Sequence, residues 1–152
     1  MAILIRKALS IDIDFIAQFQ VEMAWETESY KLEYETVTKG VSKVFECESL
    51  GNYYVAVVNE EVVASLLTTF EWSDWRNGTV LWIQSVYVKK EYRKQGIYAN
   101  MYKHIREMVL NDTSLCGIRL YVDKTNTIAQ EVYKNIGMNG EHYRVFEWMK
   151  EG

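Results

Sequence analysis

The sequence predicts an α/β fold with a mixed, mostly antiparallel central sheet and helices on both faces. Three observations carry that expectation. Two helical stripes near the start are followed by three β-branched runs joined through short turns, which reads as an antiparallel meander. The last of those runs is followed by a helical stripe and another apolar run, and a strand-helix-strand succession of this kind closes as a right-handed parallel crossover. The chain of 152 residues, 49% hydrophobic and 25% charged, is large enough to bury one core and needs no second domain, so 1–152 is read as a single domain.

The elements follow in order. Ala2–Ala8 reads as a first strand, and Ser10 with Asp12 and Asp14 behind it reads as a helix start with acids in its first turn. Ile13, Ile16, Phe19, Gln20 and Met23 recur at helical spacing, which extends that helix to about Glu26. After a polar loop over Thr27–Glu35, a shorter helix over Thr36–Phe45 would bury Val37, Val41, Val44 and Phe45, with Gly40 as its weak point. Gly51-Asn52 then breaks the chain. Tyr53–Val58 and Val62–Trp72 read as strands joined through Asn59-Glu60-Glu61, and Asn77-Gly78 turns the chain into a third, Thr79–Val88. From Gly96 to Asn111 the residues Ile97, Met101, Ile105, Met108 and Val109 form one apolar stripe. Gly117–Val122 reads as a strand, Asn126 or Thr125 caps a helix carrying Ile128, Val132 and Ile136, Gly137 ends it, and the alternation over His142–Met149 predicts a last strand.

Charge is distributed unevenly. Between Ser10 and Leu50 nine acids face three lysines, whereas between Lys89 and Arg106 six cations face only Glu91. The first region suits a cation and the second a polyanion, although either run also reads as a solvated face. The net charge of −4 argues against a nucleic-acid binder. Cys47 and Cys116 stand far apart with no Cys-x-x-Cys or Cys/His spacing, so no metal site or disulfide framework is expected and a reduced, cytoplasmic setting is. No apolar run reaches the length of a membrane span, and no membrane partner is expected.

The chemistry concentrates where the run Ile83–Val88 meets Gly96. A chain turning there from strand to helix offers the unpaired N–H groups of a helix N-terminus, and Arg93 and Lys94 add positive charge. Neither the GxGxxG nor the GxxxxGK[ST] phosphate motif is present, and the strand-RxxG-helix pattern alone is also compatible with a plain helix cap. About thirty residues on, Asn126 and Tyr133 lie seven residues apart, so both can look out of one helix face, with Ala129 between them; Asn126 alone also reads as an N-cap and Tyr133 as an edge-of-core aromatic.

Together these stretches resemble the GNAT superfamily of N-acetyltransferases. The resemblance runs through Ile83–Val88, through Arg93-Lys94-Gln95-Gly96-Ile97-Tyr98 as a near match to [RQ]xxGx[GA], and through Asn126, Tyr133 and Gly137-Met138. It implies acetyl-CoA as donor, with the backbone of Lys94 to Ala99 on the pyrophosphate, the backbone at Val86, Tyr87 and Val88 pairing with the pantetheine arm, Asn126 beside that arm and Tyr133 at the thioester sulfur. Tyr98 stands where the family has Gly or Ala, and Lys90 where many relatives have proline.

A primary amine of pKa ~10.4 costs about 4 to 5 kcal/mol to deprotonate at neutral pH, so direct attack on a thioester needs a proton acceptor. The strand offers Gln84 and Ser85 to order a water relay, and Glu22 or Glu26 could serve instead; His104 and His142 are weaker candidates. Tyr133 is the expected acid for the departing thiolate. Glu22, Trp25, Glu26 and Trp75 are expected to hold a cationic amine of a small molecule or peptide. Two other readings stay open: a catalytically inactive CoA-binding sensor, and a partner-interaction domain. Pairing of strand edges into a homodimer is a further expectation of such folds.

Overall fold

Strand pairing begins between the first strand and a run nearly fifty residues later. In the computed structural model, which describes residues 1–150, β1 (Leu4–Lys7), β2 (Asn52–Val58), β3 (Glu61–Ser73) and β4 (Gly78–Val88) pair antiparallel in that order. The fifth strand, β5 (Leu115–Arg119), lies parallel to β4 and completes a mixed five-stranded sheet. The β2–β3 turn is Asn59-Glu60, both at positive φ (49° and 66°), the geometry whose twist matches a two-residue hairpin.

Two helices connect β1 to β2, α1 (Ile13–Glu28) and α2 (Tyr34–Glu46). Ile16, Ala17 and Phe19 of α1 and Val41 of α2 are buried and pack with Tyr53 and Val55 of β2 and Tyr87 of β4 into one core; Gln20 of α1 is buried beside its own helix, donating to Ile16 O. Before α1, the carboxylate of Asp12 is 1% exposed and takes two bonds from Arg6 (2.7 and 3.1 Å) and one from the Leu9 N–H (2.7 Å). The end of α1 is closed by Ser29 in the left-handed region (φ 51°), with the N–H of Tyr30 donating to Ala24 O and that of Ser29 to Trp25 O. The crossover helix α3 (Ile97–Asn111) buries Ile97, Met101 and Ile105 of the predicted stripe, while its last two members, Met108 and Val109, are half-buried. Side chains alternate along β2, so Tyr54, whose ring lies 5.8 Å from that of His104, faces α3 while its neighbours face α1 and α2.

The chain divides at Arg119 into two units. The second carries α4 (Thr127–Asn135), capped by Asn126, whose Oδ1 accepts the Ala129 N–H at 3.0 Å. It ends on Gly137 at φ +95°, with the Met138 N–H donating to Tyr133 O.

Two expectations are corrected. The strand placed at Gly117–Val122 begins and ends earlier, at Leu115–Arg119. His142–Met149 forms no strand: residues 143–150 have no regular secondary structure, with Phe146 94% exposed. Alternation specifies which side chains share a face, but a strand also needs a backbone partner, and among the described residues none pairs with this segment.

Candidate active site

The distinctive feature of β4 is that it has a partner along only half of one edge. Pairing with β5 runs from Thr79↔Leu115 to Trp82↔Arg119, and beyond it no described strand covers Ile83 to Val88 on that side. On the β3 side the register slips between Ser65↔Tyr87 and Leu67↔Gln84, so β4 bulges at Ser85 and Val86, with Ser85 at φ 55°. The Lys89 N–H donates to Val63 O of β3 at 2.8 Å, so alternation turns the backbone groups of Val88 and Val86 toward the open edge. There Val88 O accepts from Arg93 Nε at 2.8 Å.

This open edge leads through a short turn at Lys90–Tyr92 to the N-terminus of α3. Gly96 is in the left-handed region at φ 78°, which a residue with a Cβ rarely adopts, and Lys94 at φ 63° adds a second such bend. The first intrahelical bond is Asn100 N–H to Gly96 O at 3.0 Å, so the backbone N–H groups of Ile97, Tyr98 and Ala99 precede the helix's own ladder of acceptors. No acid stands in that first turn, and Arg93, Lys94 and Gln95 are exposed beside it. Donors that the helix itself does not use, its positive end and the surrounding cations form an anion seat. Tyr98, which stands in this first turn, is half-buried and its hydroxyl oxygen is shielded from solvent.

On the α1 side of β4 a cleft of about 370 Å³ is lined by Glu22, Trp25, Glu26, Tyr87, Lys89, Lys90 and Glu91. Glu22 and Glu26 lie one helical turn apart on α1, and both meet the Tyr87 hydroxyl, Glu22 Oε2 at 3.0 Å and Glu26 Oε1 at 3.2 Å. Burial, the bond to Glu22 and the charges of both carboxylates push the Tyr87 phenol far up, so it stays protonated and can donate to only one of them at a time. Arg93 Nη2 reaches Glu26 Oε2 at 2.6 Å, and its guanidinium lies 5.3 Å from the centre of the Tyr87 ring. Lys89 is held by Glu61 at 2.8 Å, whose carboxylate also accepts from Tyr92. Trp25, 61% exposed, offers its ring to this cleft.

Glu22, Trp25 and Glu26 are thus brought together as the sequence suggests, and Trp75 is not one of the residues lining this cleft. Trp75 sits 91% exposed on the Asp74–Asn77 hairpin, at the opposite end of β4 from Val88. Gln84 Nε2 donates to Thr69 Oγ1 at 2.9 Å, which ties it across the sheet. Asn126 spends its side-chain oxygen on the α4 cap, and burial raises the pKa of the half-buried Tyr133 phenol. What the sequence reading missed is the side chain of Tyr87 and the engagement of Arg93. The signal for the first was present, because strand alternation puts the side chain of residue 87 on the sheet face opposite those of 86 and 88.

Among known proteins, the model of the acetyltransferase (GNAT) family matches residues 13–138. The chain belongs to this acetyltransferase family. Across its full length this family member superposes on the crystal structure of a possible acetyltransferase from Clostridium difficile 630, with 41% identity, a TM-score of 0.91 and 100% of both chains covered. It is 37% identical over 76 residues to the thialysine N-epsilon-acetyltransferase of Bos taurus, a match covering 50% of this chain and 44% of that protein, so it spans less than half the relative's length. The aminoglycoside acetyltransferase AAC(6')-Iy, solved with a CoA bisubstrate analogue, has the same fold at a TM-score of 0.79 and 12% identity, with 100% of both chains covered.

Proposed function

We propose that this chain, acting as one domain over 1–152 in the cytoplasm, transfers an acetyl group from acetyl-CoA to a primary amine of a small molecule or peptide by direct attack. The observation that carries the reading is the open edge of β4 from Ile83 to Val88 running into the anion seat at the start of α3. An extended amide-bearing arm ending in a pyrophosphate suits that combination, because strand-like bonds and a helix N-terminus would act on the two ends of one ligand. In this reading Val86 and Val88 bind the arm, and the N–H groups of Ile97, Tyr98 and Ala99, with Arg93 and Lys94, bind the pyrophosphate.

The cleft on the other side of Tyr87 supplies the amine side. Two carboxylates beside the rings of Trp25 and Tyr87 attract an ammonium by charge and by ring-face contact. Glu26 is paired with Arg93, whereas among the described residues Glu22 accepts from the shared phenol and, at 3.5 Å, from Gln18, with the charge of Lys89 nearby. Glu22 is therefore assigned as the acceptor of the ammonium proton, directly or through a water held by Gln84 and Ser85. The amine nitrogen forms the C–N bond while the carbonyl oxygen gains charge beside the bulge amide of Val86. As the C–S bond breaks, the thiolate takes a proton from a general acid, for which the family resemblance proposes Tyr133, and the second proton of the nitrogen leaves to solvent, from which the acid is reprotonated. An N–H donor at such an oxygen contributes about 3 to 4 kcal/mol in comparable sites. Burial of Tyr133 keeps its proton available across the physiological range. The carry-over to Tyr133 rests on the family resemblance. The free thiols Cys47 and Cys116 suit the reduced compartment.

Release of free CoA thiol from acetyl-CoA, measured across a panel of alkyl diamines, amino-acid side-chain amines and peptides, tests this. Amine-dependent release favouring cationic acceptors is expected, thialysine among the first to try. Clear CoA binding with background release for every amine would leave the sensor reading instead.

A further inference from the structure

We infer that Arg93 couples the two sides of the site: it holds Glu26 away from the amine until the donor is loaded, and donor loading releases it. This rests on the proposed acetyl-CoA reading and adds to it a positioning role for one side chain. Arg93 bridges three groups that the reaction would need to use differently. Its Nε occupies Val88 O, a backbone acceptor on the open edge, at 2.8 Å. Its Nη2 occupies Glu26 Oε2 at 2.6 Å, and its guanidinium sits against the Tyr87 ring.

Charge accounts for why the bridge forms. Glu22 and Glu26 share a single phenol proton at 3.0 and 3.2 Å, and two carboxylates so placed repel unless a cation joins them. Of the other cations at the cleft, Lys89 is engaged by Glu61, and Lys90 makes no ion pair with either carboxylate. Arg93 therefore fills the position that a substrate ammonium would take, and the two compete for Glu26. A pyrophosphate bound at the N–H groups of Ile97 to Ala99 lies within four to six residues of Arg93 and offers it a denser negative charge than one carboxylate. Moving there, Arg93 vacates both Val88 O for the donor arm and Glu26 for the amine. Each substrate then favours the other through one side chain, as linkage requires.

The consequence is a substitution that acts with opposite signs on the two substrates. Glu26→Gln removes the competitor for Arg93, so CoA should bind more tightly, while the KM for a cationic amine should rise. The pair is about a third exposed on both partners (38% and 36%), so the gain in CoA affinity is at most about fivefold. Glu22→Gln makes the same charge change one turn away without touching Arg93, and controls for long-range repulsion of the polyanion.

Isothermal titration of CoA into wild type, Glu26→Gln, Glu22→Gln, Arg93→Gln and the Glu26→Gln/Arg93→Gln double variant, each checked by its melting curve, decides the matter. A gain in Glu26→Gln that exceeds that in Glu22→Gln and vanishes in the Arg93→Gln background supports the coupling. Equal gains in the two glutamate variants, or a gain that persists without Arg93, overturns it while leaving CoA binding intact. Failure of CoA to bind wild type overturns the acetyl-CoA reading and this inference with it.

Discussion

Gly96→Ala separates a glycine kept for its backbone from one kept for space. A Cβ at this position would meet only Asn100 Nδ2 at 3.8 Å, an ordinary contact, so crowding within the protein contributes nothing. The backbone angle does: at φ +78° an alanine carries a strain of about 1 to 2 kcal/mol. For a chain of this length that lowers the melting temperature by roughly 2 to 8 °C. If the turn relaxes to negative φ to escape the strain, the N–H groups that open α3 change direction, and loss of one charge-assisted bond to a pyrophosphate costs about 1.5 to 3 kcal/mol. CoA affinity then falls by about ten- to a hundredfold. Asparagine tolerates the left-handed region better, so Gly96→Asn should recover part of the stability. Thermal melts and CoA titration on the three proteins measure both effects. An alanine variant with unchanged melting temperature and unchanged CoA affinity would refute the argument, and an asparagine variant less stable than alanine would refute its backbone half.

Other outcomes follow from the same structure. Gly40 lies exposed inside α2, and a methyl group added there would have nothing within 4 Å, so Gly40→Ala should raise stability by about 0.5 to 1 kcal/mol in urea unfolding. Burial alone would raise the pKa of Asp12, but the bonds from Arg6 and the Leu9 N–H more than offset it and hold the carboxyl below its usual range. Its contribution is therefore complete above an unfolded-state pKa of about 3.9 and disappears as pH falls through the lower folded value; Asp12→Asn should lose about 2 kcal/mol at neutral pH and flatten the acid limb of the stability profile. Tyr133→Phe should lower kcat by about 10² or more with CoA affinity nearly kept, and unchanged turnover would remove the phenol from the mechanism.

Much of this was legible in the residues because the relevant signals are local. The stripe Ile97, Met101, Ile105, Met108 and Val109 and the turn at Gly96 are set by helical period and by the backbone freedom of one glycine; the turn stands as expected, and the stripe is buried over its first three members and half-buried at its end. The meander was legible through Asn59-Glu60-Glu61 and Asn77-Gly78: Asn59, Glu60 and Asn77 take the positive φ that tight turns use, while Gly78 already opens β4. His142–Met149 misled because its alternation carries no information about a partner strand. The site was half-legible for a related reason. Glu22 and Glu26 were readable as one helix face, but their meeting with Tyr87, more than sixty residues away, is a product of tertiary packing that no local pattern encodes. Arg93 was readable as a cation of the phosphate turn, whereas its hold on Glu26 and Val88 depends on how β4 and α1 approach one another. Trp75 illustrates the converse: an aromatic beside an acid in sequence, carried by the hairpin to the end of β4 away from Glu22 and Glu26.

The central claim is that the donor lies along the uncovered half of β4 and ends on the first turn of α3. Amide hydrogen exchange with and without saturating acetyl-CoA tests it at residue level. The account predicts added protection at Val86, Val88 and Ile97 to Ala99, with Leu81 and Trp82, already paired to β5, unchanged. Binding of acetyl-CoA that leaves Val86 and Val88 exchanging as before, or that protects a different edge of the sheet, would contradict it.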